Sequence, residues 1–292
     1  MNFEQMILAY EPQVRLGFFV SVFLIVALWE LAKPRRVLKH SRQQRWTANL
    51  GIVVINTLTV RMVFPTAAVG IAALSAEQGW GLLNHFAVPF WLAVTLAVVA
   101  MDFVVWLQHV MVHAVPVLWR LHQVHHADLD YDLTTGARFH PLEIFLSMGI
   151  KFAAIVLLGT PVVAVVIFEV LLSACAMFNH GNLHLPASAD RVLRWFMVTP
   201  DMHRVHHSTE DDESNNNFGF NLTWWDRCFG TYQAEPRAGQ VGMTIGIRSH
   251  TDPQEVARLP GLLAMPFRRK VMGYAINRRT SESPTANQED KQ

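Results

Sequence analysis

Residues 90–113 read FWLAVTLAVVAMDFVVWLQHVMVH, an apolar run in which Asp102 is the only acidic or basic side chain apart from histidine. Pro89 precedes the run, at a helix start, where the missing backbone donor of proline costs nothing. About 20 consecutive apolar residues are enough for a helix to cross the hydrocarbon core of a bilayer. The stretch therefore predicts a membrane-spanning helix that ends in His109 and His113, which lie on one helix face.

Three other apolar regions predict further membrane helices. The first covers residues 16–32. The second covers residues 48–74, with interruptions at Arg61 and Pro65, and a loop is predicted after it at residues 75–84. The third, residues 142–178, is too long for one span, and Gly159-Thr160-Pro161 at its middle predicts a turn. We interpret it as a helical hairpin whose arms either span the bilayer or re-enter it. The predicted fold class is therefore an all-α integral membrane protein built around a transmembrane helical bundle.

The composition agrees with this class and excludes others. The chain is 51% hydrophobic and only 16% charged, and its net charge of +1 gives no reason to expect nucleic acid as a partner. Cys175 and Cys228 are too few and too distant for a disulfide framework. The first apolar run ends in Lys33-Pro34-Arg35-Arg36 rather than in small residues, which indicates an uncleaved anchor instead of a signal peptide.

Basic residues predict the orientation in the membrane. The loop between the first two spans is rich in positive charge, which marks a cytoplasmic loop; its basic residues are Lys33, Arg35, Arg36, Lys39, Arg42 and Arg45. Counting spans from there puts the end of the 90–113 helix, both ends of the hairpin and the basic patch Arg268-Arg269-Lys270 on the cytoplasmic face. A bacterial inner membrane is favoured, with the endoplasmic reticulum as the alternative.

Charges inside the apolar runs need partners, because each costs a few kcal/mol at the bilayer centre. Lys151 and Glu169 each lie nine residues from Thr160, so a hairpin places them at one depth and predicts an ion pair. Arg61 is expected either to pair with Asp102 or to extend to the membrane interface. Asp102 lies two helical turns before the first histidine of its helix. We favour a role for it as the carboxylate that accepts a hydrogen bond from a ligand histidine.

Histidine is unusually frequent, with 14 copies, and ten of them fall into four clusters. Within each cluster the spacing is three or four residues, so on a helix the rings share one face. Ten imidazoles exceed the four ligands of a closed zinc site, and they match two metal ions with room for a reactant. The predicted ligands are His109, His113, His122, His125, His126, His180, His184, His203, His206 and His207. His140 remains open, and no role is expected for His40, His85 or His250.

The stretch from Asp102 to Tyr232 resembles the fatty acid hydroxylase / sterol desaturase superfamily of membrane di-iron enzymes. The resemblance rests first on Asp102-Phe103 and the His109/His113 pair. Three longer motifs add to it: Leu118-Trp-Arg-Leu-His-Gln-Val-His-His126, Arg138-Phe-His-Pro-Leu-Glu143 and Thr199-Pro-Asp-Met-His-Arg-Val-His-His-Ser208. A fourth motif is Trp224-Trp-Asp-Arg-Cys-Phe-Gly-Thr231.

This resemblance implies a helical cytosolic cap over the membrane helices and two iron ions held by the ten histidines. It implies O2-dependent hydroxylation or desaturation of a lipid C–H bond, with electrons from a separate ferredoxin or cytochrome b5 type donor. The catalytic domain is expected at residues 91–235, after membrane helices and a basic loop at 1–90. Residues 236–292 are expected to form a cytoplasmic segment, and the stretch 251–292 is expected to end in a disordered tail.

Two other functions fit the same clusters. One is a zinc-dependent membrane hydrolase, which needs a carboxylate placed as a base and no oxygen. The other is a non-catalytic metal-binding protein, although a transporter would carry its ligands near the membrane midplane. Imidazole accepts zinc as readily as iron, so zinc in purified protein would not decide between them. Several tryptophans are expected as membrane-interface anchors, namely Trp80, Trp91, Trp195, Trp224 and Trp225.

Overall fold

The computed structural model describes residue 6 and residues 9–64 and 67–268, and within them the regular elements are helices, joined by loops with three isolated β-bridges. The helices are α1 Glu11–Ala32, α2 Arg42–Val63, α3 Ala67–Glu77, α4 Leu82–His85, α5 Phe90–Ala114, α6 Pro116–His126, α7 Pro141–Leu158, α8 Val162–Asn179, α9 Ala187–Leu193, α10 Pro200–His206, α11 Asp211–Ser214, α12 Trp224–Cys228, α13 Gly239–Gly242, α14 Pro253–Val256 and α15 Leu259–Arg268. A short 3₁₀ turn covers Thr135–Ala137.

Five segments are long and apolar enough to cross a membrane: α1, the stretch Arg42–His85, α5, α7 and α8. The all-α membrane fold is therefore confirmed. The predicted hairpin is also present as α7 and α8. Its turn is set by Gly159, which has a φ of +67°, a conformation that favours glycine. The backbone of Gly81 packs so closely against this turn that a Cβ on Gly81 would lie 2.0 Å from the nitrogen of Gly159.

The second apolar region divides into α2 and α3, with the predicted interruption at Pro65 just outside the described residues. The loop expected at residues 75–84 is shorter than predicted. α3 continues to Glu77, and α4 begins at Leu82. The sequence there is polar enough to suggest a loop, but short helical turns still form at both of its ends.

The ion pair predicted inside the membrane is confirmed. Lys151 Nζ lies 2.7 Å from one oxygen of Glu169, and Arg15 Nη2 lies 2.6 Å from the other. Glu169 therefore neutralises cations from two neighbouring helices. Arg61 is exposed, and Asp102 instead accepts a hydrogen bond from Trp225 Nε1 at 2.8 Å. The expected pair between Arg61 and Asp102 is thus absent among the described contacts.

One end of the bundle carries a helical cap. The carboxyl ends of α1, α5 and α8 and the amino ends of α2 and α7 all meet it. Apolar residues from α2, α6, α14 and α15 form a shared core there: Ala48, Ile52, Val124, Ala127, Val256, Leu262 and Met265. Residues 251–268 therefore pack into the cap. The disordered tail expected at the end of the chain, with Arg269 and Lys270 of the basic patch, lies outside the described residues.

A buried ion-pair cluster fastens the loop 127–138 to α2. Arg45 binds both oxygens of Asp128, at 2.6 and 2.7 Å, and its third nitrogen lies 2.6 Å from Asp132. All three side chains are buried. Burial alone would raise the pKa of Asp128, but the guanidinium groups of Arg45 and Arg138 hold it far below its usual value. The loop therefore depends on a charge that comes from another segment.

We predict that Arg45→Gln lowers the free energy of unfolding by about 3–5 kcal/mol, because it removes the cation that contacts both buried carboxylates and leaves only Arg138, 3.6 Å from Asp128. Lys39→Gln removes the same charge from the same segment, but Lys39 is exposed, so this control should stay near the parent value. Denaturant titration in detergent micelles measures both. Equal stability of the two variants would contradict the assigned role of the cluster.

Candidate metal centre

Four separate segments bring nine histidines together at the capped end of the bundle. α5 carries His109 and His113 one turn apart, and α6 carries the next three. The remaining four come from the carboxyl end of α8 and from α10. Each of the nine side chains is at most 2% exposed: His109, His113, His122, His125, His126, His180, His203, His206 and His207. So dense a cluster of buried imidazoles requires compensation, because buried polar groups without partners are costly.

The nine rings form two adjoining groups. Within each group, one nitrogen of every ring lies within 4.8 Å of all the others. The groups touch through stacked rings, since His126 and His207 have centroids 4.5 Å apart. The first group consists of His109, His113, His122, His126 and His206, and the second of His125, His180, His203 and His207.

The hydrogen bonds of the first group require a cation. His109 Nδ1 lies 2.7 Å from the carbonyl oxygen of Phe218, and His206 Nδ1 lies 2.8 Å from that of Asn216. A carbonyl only accepts, so both Nδ1 atoms carry the proton. Burial lowers the pKa of His206 well below its usual value, so this ring holds no second proton.

A neutral imidazole carries one N–H, so in neutral rings the two remaining nitrogens, His109 Nε2 and His206 Nε2, are bare, and they face each other at 2.9 Å. Two lone pairs at that distance repel unless a positive ion lies near both. Imidazole nitrogens bind transition metals at about 2.1 Å, and two such ligands at right angles lie about 3 Å apart. The residues thus fit a metal ion.

The second group has the same character. His180 Nδ1 lies 2.8 Å from the carbonyl oxygen of Ala176, which leaves its Nε2 bare. That Nε2 lies 3.2 Å from His125 Nε2 and 3.1 Å from His203 Nε2. Both ring nitrogens of His207 are buried without a hydrogen-bond partner among the described residues. A second metal ion would satisfy these nitrogens.

A carboxylate missed as a functional residue orients one ring. Glu143, on the first turn of α7, accepts the Nδ1–H of His122 at 2.6 Å. The Nε2 of His122 then faces His109 Nε2 at 3.2 Å. The available signal was a lone acid at the start of an apolar helix. Its partner is 21 residues away, and spacing alone does not reveal such a pair.

Asp226, from the last quoted motif, supports the site without touching a histidine. Its carboxylate accepts from Trp106 Nε1 at 3.0 Å and from the backbone of Phe218 and Gly219 at 2.9 and 2.8 Å. These bonds fix the turn whose Phe218 carbonyl orients His109. Burial raises the pKa of Asp226, opposed by the bonds it accepts. Asp226 therefore acts on the site through a backbone turn.

Asp102 does not have the predicted contact with a ligand histidine. It accepts from Trp225 Nε1 and, at 3.4 Å, from the backbone of Leu222. The Nδ1–H of His109 donates to the Phe218 carbonyl, so it is not available to donate to Asp102. The carboxylate instead attaches α12 to α5.

His184 is the one predicted ligand that the structure does not bring to the others. α8 ends at Asn179 with His180 as its cap, so the helical spacing between His180 and His184 is lost. The chain then runs extended beside the end of α1, where His184 N–H donates to the carbonyl of Lys33 at 3.2 Å. The ring is exposed. His140, left open by the sequence, accepts from the backbone of Leu142 and caps α7.

Comparison with known proteins agrees with this arrangement. Residues 94–231, which include all nine buried histidines, match the family model described as fatty acid hydroxylase. This segment, slightly less than half of the chain, is similar to the fatty acid hydroxylase family. No solved structure matches it.

Two kinds of curated relative share this sequence pattern. The ornithine lipid hydroxylase OlsE of Rhizobium tropici is 27% identical over 286 residues, which cover 94% of this chain and 83% of the relative. Alkylglycerol monooxygenases of Homo sapiens and Xenopus tropicalis are 30% and 29% identical over 159 residues. The chain spans about a third of the length of those two monooxygenases, 33% in each case. By name, the first relative is a hydroxylase of ornithine lipid, and the other two are monooxygenases of alkylglycerol.

We predict that Glu143→Ala lowers metal affinity about 10- to 100-fold, because it removes the acceptor that orients His122. Glu143→Gln keeps an acceptor oxygen of similar shape and should lose less. Metal content after dialysis against graded chelator, measured by mass spectrometry of the elements, gives the affinity order. Equal retention by the parent and the alanine variant would exclude this role for Glu143.

A second prediction compares two histidines of one segment. His180→Ala should reduce the bound metal to about half or less, because the second group loses a central ring. His184→Ala should keep the parent amount, since that ring is exposed and lies outside both groups. The same elemental analysis, on proteins of equal monodispersity, measures both. Metal loss from His184→Ala would restore the prediction of ten ligands.

Proposed function

We propose that this protein is a membrane-bound, O2-dependent lipid hydroxylase with a di-iron site. The observation that carries the proposal is the pair of buried histidine groups at the end of membrane-spanning helices. The activities for which the relatives are named, hydroxylation of ornithine lipid and monooxygenation of alkylglycerol, support hydroxylation over desaturation. Among the described residues neither group includes a carboxylate. The zinc hydrolase alternative would need one there as a base.

Each group would hold one metal ion, His109, His113, His122, His126 and His206 the first, and His125, His180, His203 and His207 the second. Iron in these positions would supply the redox chemistry that activates oxygen. In the overall reaction, one oxygen atom enters a lipid C–H bond as a hydroxyl group. The other leaves as water, with an electron pair and protons from outside. A separate ferredoxin or cytochrome b5 type protein would donate the electrons.

The residues around the metals exclude water and hold the rings. Phe139 stacks on His125 with ring centroids 4.4 Å apart, and Phe218 lies edge-on to His109 at 5.6 Å. Phe220 contacts rings of both groups, with centroids 5.1 Å from His109 and 5.9 Å from His203. An apolar wall of this kind protects a strong oxidant from side reactions with solvent. It also suits an apolar substrate.

The depth of the site suggests which part of a lipid reacts. His109 follows Phe90, the first residue of α5, by 19 residues, which is about 28 Å of helix. The hydrocarbon core of a bilayer is about 30 Å thick. The metals would therefore lie where hydrocarbon meets head groups. We infer that the oxidised carbon lies near the head-group end of its lipid, on the cytoplasmic leaflet by the distribution of basic residues.

Lipid mass spectrometry tests the proposal. A bacterial strain producing the chain is compared with strains producing His203→Ala and His184→Ala, each grown under air and under ¹⁸O2. The parent and His184→Ala should form a lipid heavier by one oxygen, labelled under ¹⁸O2, while His203→Ala should form none. Because the metal is coordinated through such rings, loss of one should abolish turnover.

The outcomes separate the candidate functions. A product lighter by two hydrogens would replace hydroxylation by desaturation. Hydrolysed lipid that forms without oxygen would favour the zinc hydrolase. Unchanged lipids in cells whose purified protein contains iron, with a donor present, would contradict the enzyme reading.

A further inference from the structure

An exposed aromatic surface lies beside the metal centre and has no role in it. We name it the aromatic foot; it consists of Val192, Trp195, Phe196, Trp224 and Phe229. These side chains are 60%, 59%, 61%, 43% and 57% exposed. Contiguous apolar surface on a folded protein marks a site of contact with a membrane or a partner.

The members of the foot form one surface although they come from two segments. Trp224 Nε1 donates to the carbonyl oxygen of Trp195 at 3.1 Å. The guanidinium of Arg227 lies over the ring of Trp195 at 4.3 Å and over Tyr232 at 4.0 Å. Arg227 Nη2 also donates to the carbonyl of Arg194 at 2.9 Å. These bonds join the end of α9 to α12.

One side of the foot is attached to a membrane-spanning helix. Phe229 stacks on Trp106 of α5 with centroids 4.7 Å apart and contacts Phe103 at 6.0 Å. Trp106 lies 16 residues after Phe90, which is about 24 Å along the helix. With Phe90 at the far edge of a hydrocarbon core about 30 Å thick, this contact would lie within the bilayer rather than above it.

The other side begins at a second membrane helix. His184 and Pro186 form a groove with Leu28, Trp29 and Ala32 of the last turns of α1. α9 starts directly after Pro186. The segment that carries Trp195 and Phe196 is thus held between the ends of α1 and α5. Its exposed apolar face continues the lipid-facing surface of both helices.

We propose that the aromatic foot is embedded in the head-group and upper acyl region of the bilayer, with lipid as its occupant. Tryptophan is enriched at this depth because its ring is apolar and its N–H is polar. Exposed Arg191 next to Val192 supplies a cation for lipid phosphates, as on interfacial amphipathic segments. The cap therefore does not stand clear of the membrane. On this side it is part of the membrane surface.

A matched pair of valines tests the depth. Val192 belongs to the foot, and Val241, 64% exposed on α13, lies beside the charged surface around Arg237. Each is changed to cysteine in a Cys175→Ala, Cys228→Ser background, labelled with a nitroxide and placed in phospholipid nanodiscs. Collisions with oxygen, which concentrates in lipid, are compared with collisions with a water-soluble nickel complex. The readout is independent of catalysis.

Val192→Cys should show an oxygen-to-nickel collision ratio several-fold higher than Val241→Cys. Equal ratios would place the foot in water and overturn the proposal. The alternative occupant of the foot is a second copy of the chain. Low collision rates with both reagents that rise when each disc holds a single copy would show this and would overturn lipid as the occupant.

The unaltered chain provides a second measurement if a variant does not fold. Cys228 is exposed at the end of α12, between Trp224 and Phe229 of the foot in the sequence. In nanodiscs it should react several-fold more slowly with a charged maleimide than with an apolar one, and the difference should disappear in denaturant. Equal rates in the folded protein would contradict the proposal.

Discussion

Buried imidazole nitrogens that face one another without protons between them are the constraint on which this structure depends. His109 and His206 illustrate it, because backbone carbonyls fix the proton on the outer nitrogen of each ring and leave the inner nitrogens opposed at 2.9 Å. Their sequence separation is 97 residues. Metal ions that relieve this repulsion would also cross-link α5, α6, α8 and α10. We therefore expect metal binding to be coupled to formation of the cap, as in other proteins whose ligands come from distant segments.

The acids of the protein support this arrangement without entering it. Glu143 orients His122 directly, Asp226 holds the turn that orients His109, and Asp128 attaches the loop after α6 to Arg45. Both groups consist of neutral imidazoles without a carboxylate. The site therefore carries less negative charge than a metal site built from carboxylate ligands would. The carboxylates of Glu143, Asp226 and Asp128 lie outside the two histidine groups, and each accepts hydrogen bonds from its own donors.

The sequence predicted those features that depend on local spacing. Histidines three or four residues apart converge wherever a helix continues through them, as in α5, α6 and α10. The same rule fails at His184, because α8 ends before it. Glu143, Asp226 and Asp102 were unassigned or misassigned because their partners are 8 to 123 residues away. The contribution of residues 251–268 to the cap was not predicted, because Leu262 and Met265 are buried against α2 and α6, which are distant in sequence.

α5 joins the membrane and the chemistry in one rigid element. Its first two-thirds crosses the bilayer, and its last turns carry His109 and His113, so the distance from the far side of the membrane to the metals is set by helix rise alone. Phe103 and Trp106 contact Phe229 and so attach the aromatic foot to the same helix, six and three residues before the first ligand. The foot and the metals are thus held at fixed relative depths. A lipid lying against the foot would have its head-group end level with the histidines, because both are measured along one helix.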